Sequence, residues 1–574
     1  MVGLKLDWLK EDQRLFLERG YLKNGQTPEE RYAEISKTIQ KIALAQCKDS
    51  TMKTVMYVSG LEERFNEYFR KGWPSLSTPV ISSFGGKENL PISCNHGVIE
   101  DSLDGIFSSL RETALLAKNG AGTAINFSDL RPEGSKIETG GKSNSILDWI
   151  ELYADTMSKV AQNSQRRGFL TAYLSLDHPE IMDFLKIGTS DIPADKQRFF
   201  QTITTGIIIP EGWRQALKEG DKEKRAIFTK VLNNRKKTGF PYMLDFENSN
   251  IGICQAYLDK GMKIRGSNIC IEAMEYTDYE KTFACCLSAV NLYYFEDFKN
   301  DPNFIFDMNL MLDCVIEEYI TKGSKIPGLE KAVRFAKEHR AIGLGTTGLH
   351  SYFQKNNIVF GEMASFGKNN EIFSKLRSES DRASKWMAEV WGEPLVLKGY
   401  GERNTSRMAQ APKKSTTFID GGTHLSLSEG IEPHKSNFCE KKLAKIQVEF
   451  KNKELKELLI SYGKDTDEVW DQIARDNGSV QNLNFLNAHQ KKVFKIFSEV
   501  SQVDVIKLAA QRQKYIDMGQ SVNLMIHPDT PAKEVIKLHL MAFDEGLKSL
   551  YYQYSINAAQ KFSQDNMECS VCEG

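Results

Sequence analysis

Charge of one sign is the first thing this sequence lacks: 75 Lys and Arg stand against 76 Asp and Glu over 574 residues. A surface so balanced carries no polyanion footprint, which argues against nucleic acid as a partner. Single nucleotides need only a few local cations and backbone N–H groups, so they are not excluded. No run of 18 apolar residues is present, so no membrane-spanning helix is read, and the N-terminus lacks the apolar core of a signal peptide. The ten cysteines are few for the length and irregularly spaced, unlike a secreted disulfide framework. Internal repeats and long linkers are missing as well. What remains is a reduced, cytoplasmic protein with a large core, in which Cys47, Cys254, Cys314 and Cys439 read as small buried hydrophobes.

What is present is pattern. Residues 1–75 read as a helical N-terminal region, with Thr27-Pro28-Glu29-Glu30 as an N-cap, a first-position proline and an acidic first turn. From Leu76 onward short apolar runs alternate with amphipathic segments. Ser102 to Lys118 repeats Leu103, Ile106, Phe107, Leu110, Ala114 and Leu115 at helical period. Strands alternating with helices predict a parallel α/β sheet or barrel. Residues 561–574 are polar and read as a mobile tail. The tail ends in Cys569-Ser570-Val571-Cys572, a spacing suited to dithiol exchange. The alternative, half of a zinc knuckle, needs four ligands, and no second such pair lies nearby.

The segment Ser267-Asn268-Ile269-Cys270-Ile271-Glu272, followed by Ala284-Cys285-Cys286-Leu287-Ser288, carries the sharpest chemistry. If the first segment is extended, Asn268, Cys270 and Glu272 share one face. Sulfur can give up or take a hydrogen atom, a carboxylate in a dry pocket can take a proton, and an amide can hold a hydroxyl. The bland alternative is a core cysteine with a neighbouring acid.

Together with Ser77-Thr78-Pro79, Ser93-Cys94, Asp101-Ser102-Leu103-Asp104, Ala121 to Phe127, Arg340 to Gly345, Ala411-Pro412-Lys413-Lys414-Ser415-Thr416, Gly430-Ile431-Glu432-Pro433 and Leu550-Tyr551-Tyr552-Gln553, in this order, the chain resembles the large catalytic subunit of ribonucleotide reductase. The resemblance implies a ten-stranded α/β barrel of two five-stranded halves over residues 76–560, with the radical cysteine on a loop inside it. It implies that Cys270 forms the thiyl radical that takes the ribose 3′ hydrogen, that Glu272 takes the 3′-hydroxyl proton and that Asn268 holds a ribose hydroxyl. Cys94 and Cys285 are implied as the pair oxidised in each turnover. Cys286 departs from the family, but strand neighbours point to opposite faces, so only one of the two faces Cys94. Cys569 and Cys572 would re-reduce that pair and be recharged by a thioredoxin- or glutaredoxin-like partner.

The resemblance further makes Tyr551 and Tyr552 a relay to a separate, metal-containing, radical-generating small subunit, the class I arrangement. Without the resemblance, two adjacent tyrosines would read as strand packing. The pair argues against an adenosylcobalamin-dependent enzyme, and the missing glycyl-radical motif argues against the anaerobic class. Thr78, Ser93, Ser415 and Thr416 match positions that bind the nucleoside diphosphate. Lys413-Lys414 departs from the small or acidic residues usual there, and either helps hold a diphosphate or is solvated. Asp101, Lys118 and Arg131 match the site for dNTP or ATP effectors. The loops Arg131–Ser143 and Ala161–Leu170 would relay effector identity through Gln165, Arg166 and Arg167, unless they are ordinary solvated loops. That site lies at a dimer interface in the family, so a homodimer is expected. The chain itself is expected to bind no metal or cofactor, and the nucleotide-binding cone that precedes many relatives is expected to be missing. A nucleotide-binding paralogue without activity is the rival reading; it would have lost catalytic cysteines, and all five are present.

Overall fold

The computed structural model describes residues 4–23, 25–48, 50–86, 89–92, 94–138, 140–160, 169–189, 191–192, 203–420, 430–443 and 446–555, without the side chains of residues 19, 414, 415, 418 and 440–448. The N-terminal region is helical, as the sequence predicts. Thr27 caps the helix Pro28–Gln46 reciprocally: its hydroxyl accepts from the Glu30 N–H and the Glu30 carboxylate accepts from its own N–H. Arg31 on this helix is buried and donates to the carbonyls of Val80, Ile81 and Phe84. It thereby satisfies the carbonyl end of the short helix Thr78–Ser83 and fixes that segment against the barrel. The apolar residues Ile35, Ile39, Phe65 and Phe69 join the same core as the barrel residues Leu287 and Ile342.

Five parallel strands form one half of the barrel, in the order β2 (Cys94–Val98), β3 (Gly122–Asn126), β4 (Leu170–Ser175), β5 (Ile203–Ile209) and β6 (Tyr242–Asp245). Their residues are buried almost throughout, as expected of strands covered on both faces. The second half starts with β7 (Phe283–Asn291) and β8 (Ile342–Thr347), which are parallel to each other. It continues through short parallel bridges from Leu344 to Met408 and from Gln410 to Gln520, and through Tyr551 N–H donating to the Val522 carbonyl. Its last member, Ser549–Leu550, pairs antiparallel with β6, and β7 pairs antiparallel with β2. Two parallel halves of five therefore close through two antiparallel seams, the ten-stranded barrel implied by the resemblance. The short β1 (Pro74–Ser75) adds outside this circuit, antiparallel to the far end of β7.

The helix Leu103–Lys118 forms where its period predicts, capped by Ser102, whose hydroxyl oxygen accepts from the Gly105 N–H. Its buried side carries Ile106, Ser109, Glu112, Thr113 and Leu116, while Leu103 and Phe107 stand 66% and 52% exposed. The apolar stripe read from the sequence thus straddles the buried face and an outward one.

Candidate active site

Residues 268–273 form a tight turn projecting into the barrel, not the extended segment on which the shared-face reading depended. The Asn268 N–H donates to the Ala273 carbonyl and the Ile271 N–H to the Asn268 carbonyl. The Asn268 side chain fills the turn: its Oδ1 accepts from the N–H groups of Glu272 (3.1 Å) and Ala273 (3.0 Å), and its Nδ2 donates to Glu272 Oε1 at 2.9 Å. Ile271 is held at φ +64°, an unfavourable region for a β-branched residue, and its side chain is fully buried. The trio is brought together after all, by side-chain hydrogen bonds instead of strand alternation.

Cys270 stands at the tip of this turn and is half-buried, whereas Asn268 and Glu272 are buried. Ser521, from the Gln520 segment of the barrel wall, donates to the Cys270 carbonyl at 2.6 Å and lies 3.2 Å from Glu272 Oε2. The Gly519 N–H donates to the Glu272 carbonyl at 2.8 Å. Gly519 suits this approach, because a Cβ there would lie 3.2 Å from the Ile271 carbonyl oxygen, tighter than an ordinary contact. Tyr173 on β4 donates its hydroxyl to the Asn268 carbonyl at 2.9 Å. Burial pushes the Glu272 carboxyl up to about 7, against the pull of Asn268, Ser521 and the Lys413 ammonium. Burial also holds the Tyr173 and Tyr242 phenols well above their usual range, so both stay neutral.

Cys94 and Cys285 are direct partners across the β2–β7 seam. Side chains opposite one another in an antiparallel pair share a face with Cβ atoms about 4.5–5.5 Å apart. Cys286 is instead the partner of Ile342 on β8. Both Cys94 and Cys285 are thiols; Cys94 is half-buried, and Cys285 is buried against Met518, with the sulfurs 4.0 Å apart. Burial holds the Cys285 thiol well above its usual range.

Tyr551 and Tyr552 are both buried, their ring centroids 4.2 Å apart at 69°. Tyr242 on β6 completes a cluster, 4.5 Å from Tyr551 and 5.2 Å from Tyr552. Arg235, buried behind it, donates to the Tyr551 carbonyl at 2.9 Å.

Thr416 is buried in the helix Lys414–Ile419, its hydroxyl 3.3 Å from the Lys413 carbonyl, and Thr78 is half-buried at the start of the helix Thr78–Ser83. Lys413 is buried, so the solvated alternative for it does not hold. Away from the barrel centre, Arg131 donates to Asp101 at 2.7 Å and to the Lys136 carbonyl at 3.2 Å. The loop they anchor is a small hairpin, with Lys136 bridging Lys142 and glycines 140 and 141 at φ +89° and +107°. Lys118 is not brought to this pair: it lies at the opposite end of the helix Leu103–Lys118, about 22 Å from Leu103 at 1.5 Å per residue. Ser93, Arg166, Arg167, Cys569 and Cys572 lie outside the described residues, as does the Ser415 side chain.

The sequence reading missed Tyr173, Tyr242 and Ser521. Each comes from a segment remote from Cys270, and only the closed barrel assembles them. Tyr242 had one readable signal, an aromatic at the start of a buried strand.

This geometry has counterparts in known proteins. The family model described as "Ribonucleotide reductase, barrel domain" matches residues 92–224, 214–395 and 394–553. A putative ribonucleoside-diphosphate reductase large subunit of Frog virus 3 is 30% identical over 538 residues, covering 90% of this chain and 93% of that protein. The ribonucleoside-diphosphate reductase large subunit of Invertebrate iridescent virus 3 is 28% identical over 643 residues, covering 97% of each. The solved class Id ribonucleotide reductase alpha subunit of Actinobacillus ureae superposes with a TM-score of 0.85 at 39% identity, covering 98% of this chain and 99% of that one. Fold and site define an α/β-barrel oxidoreductase. Within that class, the chain belongs to the ribonucleotide reductase large-subunit family. Among the described residues no helix is long and apolar enough to cross a membrane.

Proposed function

We propose that the chain is the catalytic subunit of a class I ribonucleoside-diphosphate reductase, supplying deoxynucleotides by a cysteine-radical reaction. The observation that carries this reading is the turn that presents Cys270 inside the barrel beside Glu272 and Asn268. A thiyl radical on Cys270 takes the ribose 3′ hydrogen. Glu272 accepts the 3′-hydroxyl proton, for which a carboxyl near neutrality is suited. Asn268 holds a ribose hydroxyl. The 2′ oxygen leaves as water, the Cys94 and Cys285 thiols supply two electrons and two protons, and a disulfide joins them. The hydrogen then returns to the 3′ carbon and restores the radical. Cys569 and Cys572 re-reduce the disulfide by exchange and pass the oxidising equivalents to a thioredoxin- or glutaredoxin-like protein.

Tyr551 and Tyr552 relay electron and proton from Cys270 to a radical-bearing, metal-containing small subunit; their edge-to-face contact and the class Id neighbour support this. Thr78, Ser93, Ser415 and Thr416 bind the substrate. Asp101, Lys118, Arg131, Arg166 and Arg167 bind a dNTP or ATP effector in a homodimer. The outward Leu103 and Phe107 beside Asp101 support a second copy at this face. The enzyme acts in the cytoplasm.

The test is conversion of CDP to dCDP with ATP and a dithiol, by the chain alone, with adenosylcobalamin, or with its small subunit. Product is expected only with the small subunit, and C270S is expected to abolish it while leaving effector binding intact. Product with adenosylcobalamin alone overturns the class, and turnover by C270S overturns the mechanism.

A further inference from the structure

Ser521 is buried, and its side chain stands between two groups that the reaction uses. Its Oγ lies 2.6 Å from the Cys270 carbonyl oxygen and 3.2 Å from Glu272 Oε2. The backbone that carries it is tied to both the wall and the turn. The Ser521 N–H donates to the Gln410 carbonyl at 3.0 Å, and the Gln410 N–H donates to the Gly519 carbonyl at 3.1 Å. The Gly519 N–H in turn donates to the Glu272 carbonyl at 2.8 Å. The serine oxygen is thus held in place, while its hydrogen can rotate.

A serine hydroxyl has one hydrogen to give and two lone pairs to accept with. Both neighbours are oxygens, so it donates to one of them at a time. The contact of 2.6 Å is that of a made O–H···O bond, and 3.2 Å is longer than such bonds run, so the hydrogen goes to the Cys270 carbonyl. Glu272 Oε1 already accepts from Asn268 Nδ2 at 2.9 Å, which leaves Oε2 to carry the hydrogen of the acid form. In that form Glu272 donates to Ser521 and Ser521 donates to the Cys270 carbonyl, a chain in which every oxygen is served. In the ionised form the carboxylate is the stronger acceptor, so the hydroxyl turns to Oε2 and releases the carbonyl. We propose that Ser521 is a positioning residue of the reductase, a hydrogen-bond switch that passes the protonation state of Glu272 to the backbone of Cys270. The inference rests on the reading of Glu272 as the base. On that reading, the ribose proton arriving at Glu272 returns the Ser521 hydrogen to the Cys270 carbonyl. The sulfur is then seated while the 3′ carbon lacks its hydrogen. Burial brings the Glu272 carboxyl to about 7, so both forms are populated near neutrality.

The experiment places a heavy carbon isotope in the cysteine carbonyls of the holoenzyme and records infrared spectra without substrate. The Cys270 band is the one missing from C270S, and the Glu272 carboxyl band is the one missing from E272Q. Both are followed from about pH 5.5 to about pH 8.5, a range that brackets the carboxyl. In wild type the Cys270 carbonyl should stretch at lower frequency while Glu272 is protonated, and rise with the same midpoint as the carboxyl band fades. In S521A the carbonyl band should stay still while Glu272 titrates. The other titratable groups at this carboxyl are Cys270 on the turn, Tyr173 on β4, Cys285 on β7 and Lys413 before the helix Lys414–Ile419. Burial keeps Tyr173 and Cys285 neutral, and brings Lys413 down to about 8. A carbonyl shift that persists in E272Q therefore belongs to Lys413 or to the Cys270 thiol, and overturns the proposal. So does a wild-type carbonyl band that stays still as the carboxyl titrates, a reading that needs no variant at Ser521. In turnover with the small subunit, S521A should lower kcat for dCDP about tenfold, the low end for a lost bond to a charged group, at unchanged KM for CDP. An unchanged kcat overturns the positioning role. Turnover by E272Q at the wild-type rate would instead remove Glu272 as the base, and the infrared titration would still report whether Ser521 links it to Cys270.

Discussion

Replacing Asn268 by alanine removes the side chain that builds the catalytic turn, and its cost can be worked from the contacts. Asn268 Oδ1 satisfies two buried backbone donors, those of Glu272 and Ala273, and Nδ2 donates to Glu272 Oε1. A buried donor left unpaired costs about 1–3 kcal/mol, so the two N–H groups alone cost about 2–6 kcal/mol. Ile271 at φ +64° stores about 1–3 kcal/mol of backbone strain that these bonds hold in place. With them gone the turn relaxes, and relaxation moves Cys270 away from the 3′ carbon. If only about 2.7 kcal/mol of the loss falls on the transition state, dCDP formation drops about 100-fold. N268D separates the two functions of the side chain. Its carboxylate accepts both N–H groups and keeps the turn, yet it cannot donate to Glu272 and places a second acid beside it. N268D should therefore hold a thermal midpoint above that of N268A, though below wild type because its carboxylate is buried beside Glu272, and both variants should lose activity. The assay is dCDP formation with the small subunit and a dithiol, alongside thermal unfolding. Activity of N268A within about threefold of wild type, with an unchanged midpoint, would refute the claim that Asn268 holds the turn.

Two further outcomes follow from the same geometry. After a single turnover without reductant, peptide mapping should find Cys94 joined to Cys285 in wild type and in C286S, and no such link in C285S; a Cys94–Cys286 link in wild type would break the assignment drawn from strand register. The Glu272 carboxyl, raised by burial from 4.5 to about 7, gives a reversed pH signature. The folded state holds this proton more tightly than the unfolded one, so the group's contribution is most favourable below about 4.5 and is lost as pH rises through about 7. Well above 7 the ionised form costs about 3 kcal/mol, at 1.36 kcal/mol per pH unit. E272Q should accordingly be more stable than wild type at about pH 8 and equal to it at about pH 4.5, read as thermal midpoints; no gain at pH 8 would contradict the raised carboxyl.

How much of this was legible in the sequence depended on the range of each contact. Thr27 and Glu30 are three residues apart; the N-cap and first-position proline form as read, and the structure adds the bond that Glu30 returns to the Thr27 N–H. The amphipathic period from Ser102 to Lys118 gave the helix but not which apolar residues turn outward, because Leu103 and Phe107 face away from the chain's own core. The Asn268, Cys270 and Glu272 trio was legible as a chemical set but not as a shape. Alternation suggested a strand, and the decisive contact is an asparagine side chain closing on backbone four and five residues ahead. For Lys413 the sequence left both alternatives open, a diphosphate contact or a solvated charge, and only the packing of its stem against Gly430 shows that it is internal.

The cysteine pair illustrates why the barrel is closed by antiparallel seams. Residues directly opposite one another, with side chains on one face, arise across such a seam, while parallel neighbours are staggered. The β2–β7 seam therefore sets two cysteines 191 positions apart (285 minus 94) side by side without a loop having to carry either of them. It also makes the pair unequal. Cys94 sits at the first residue of β2 and is half-buried, while Cys285 is 1% exposed, against Met518. Thiol–disulfide exchange needs a thiolate to approach one sulfur along the bond, so access decides which sulfur is attacked. On the proposed mechanism an external dithiol meets Cys94 first and leaves Cys285 as the departing thiol, whose proton burial then holds tightly. Cys270 is half-buried like Cys94, so of the three cysteines at the barrel centre only Cys285 is fully shielded.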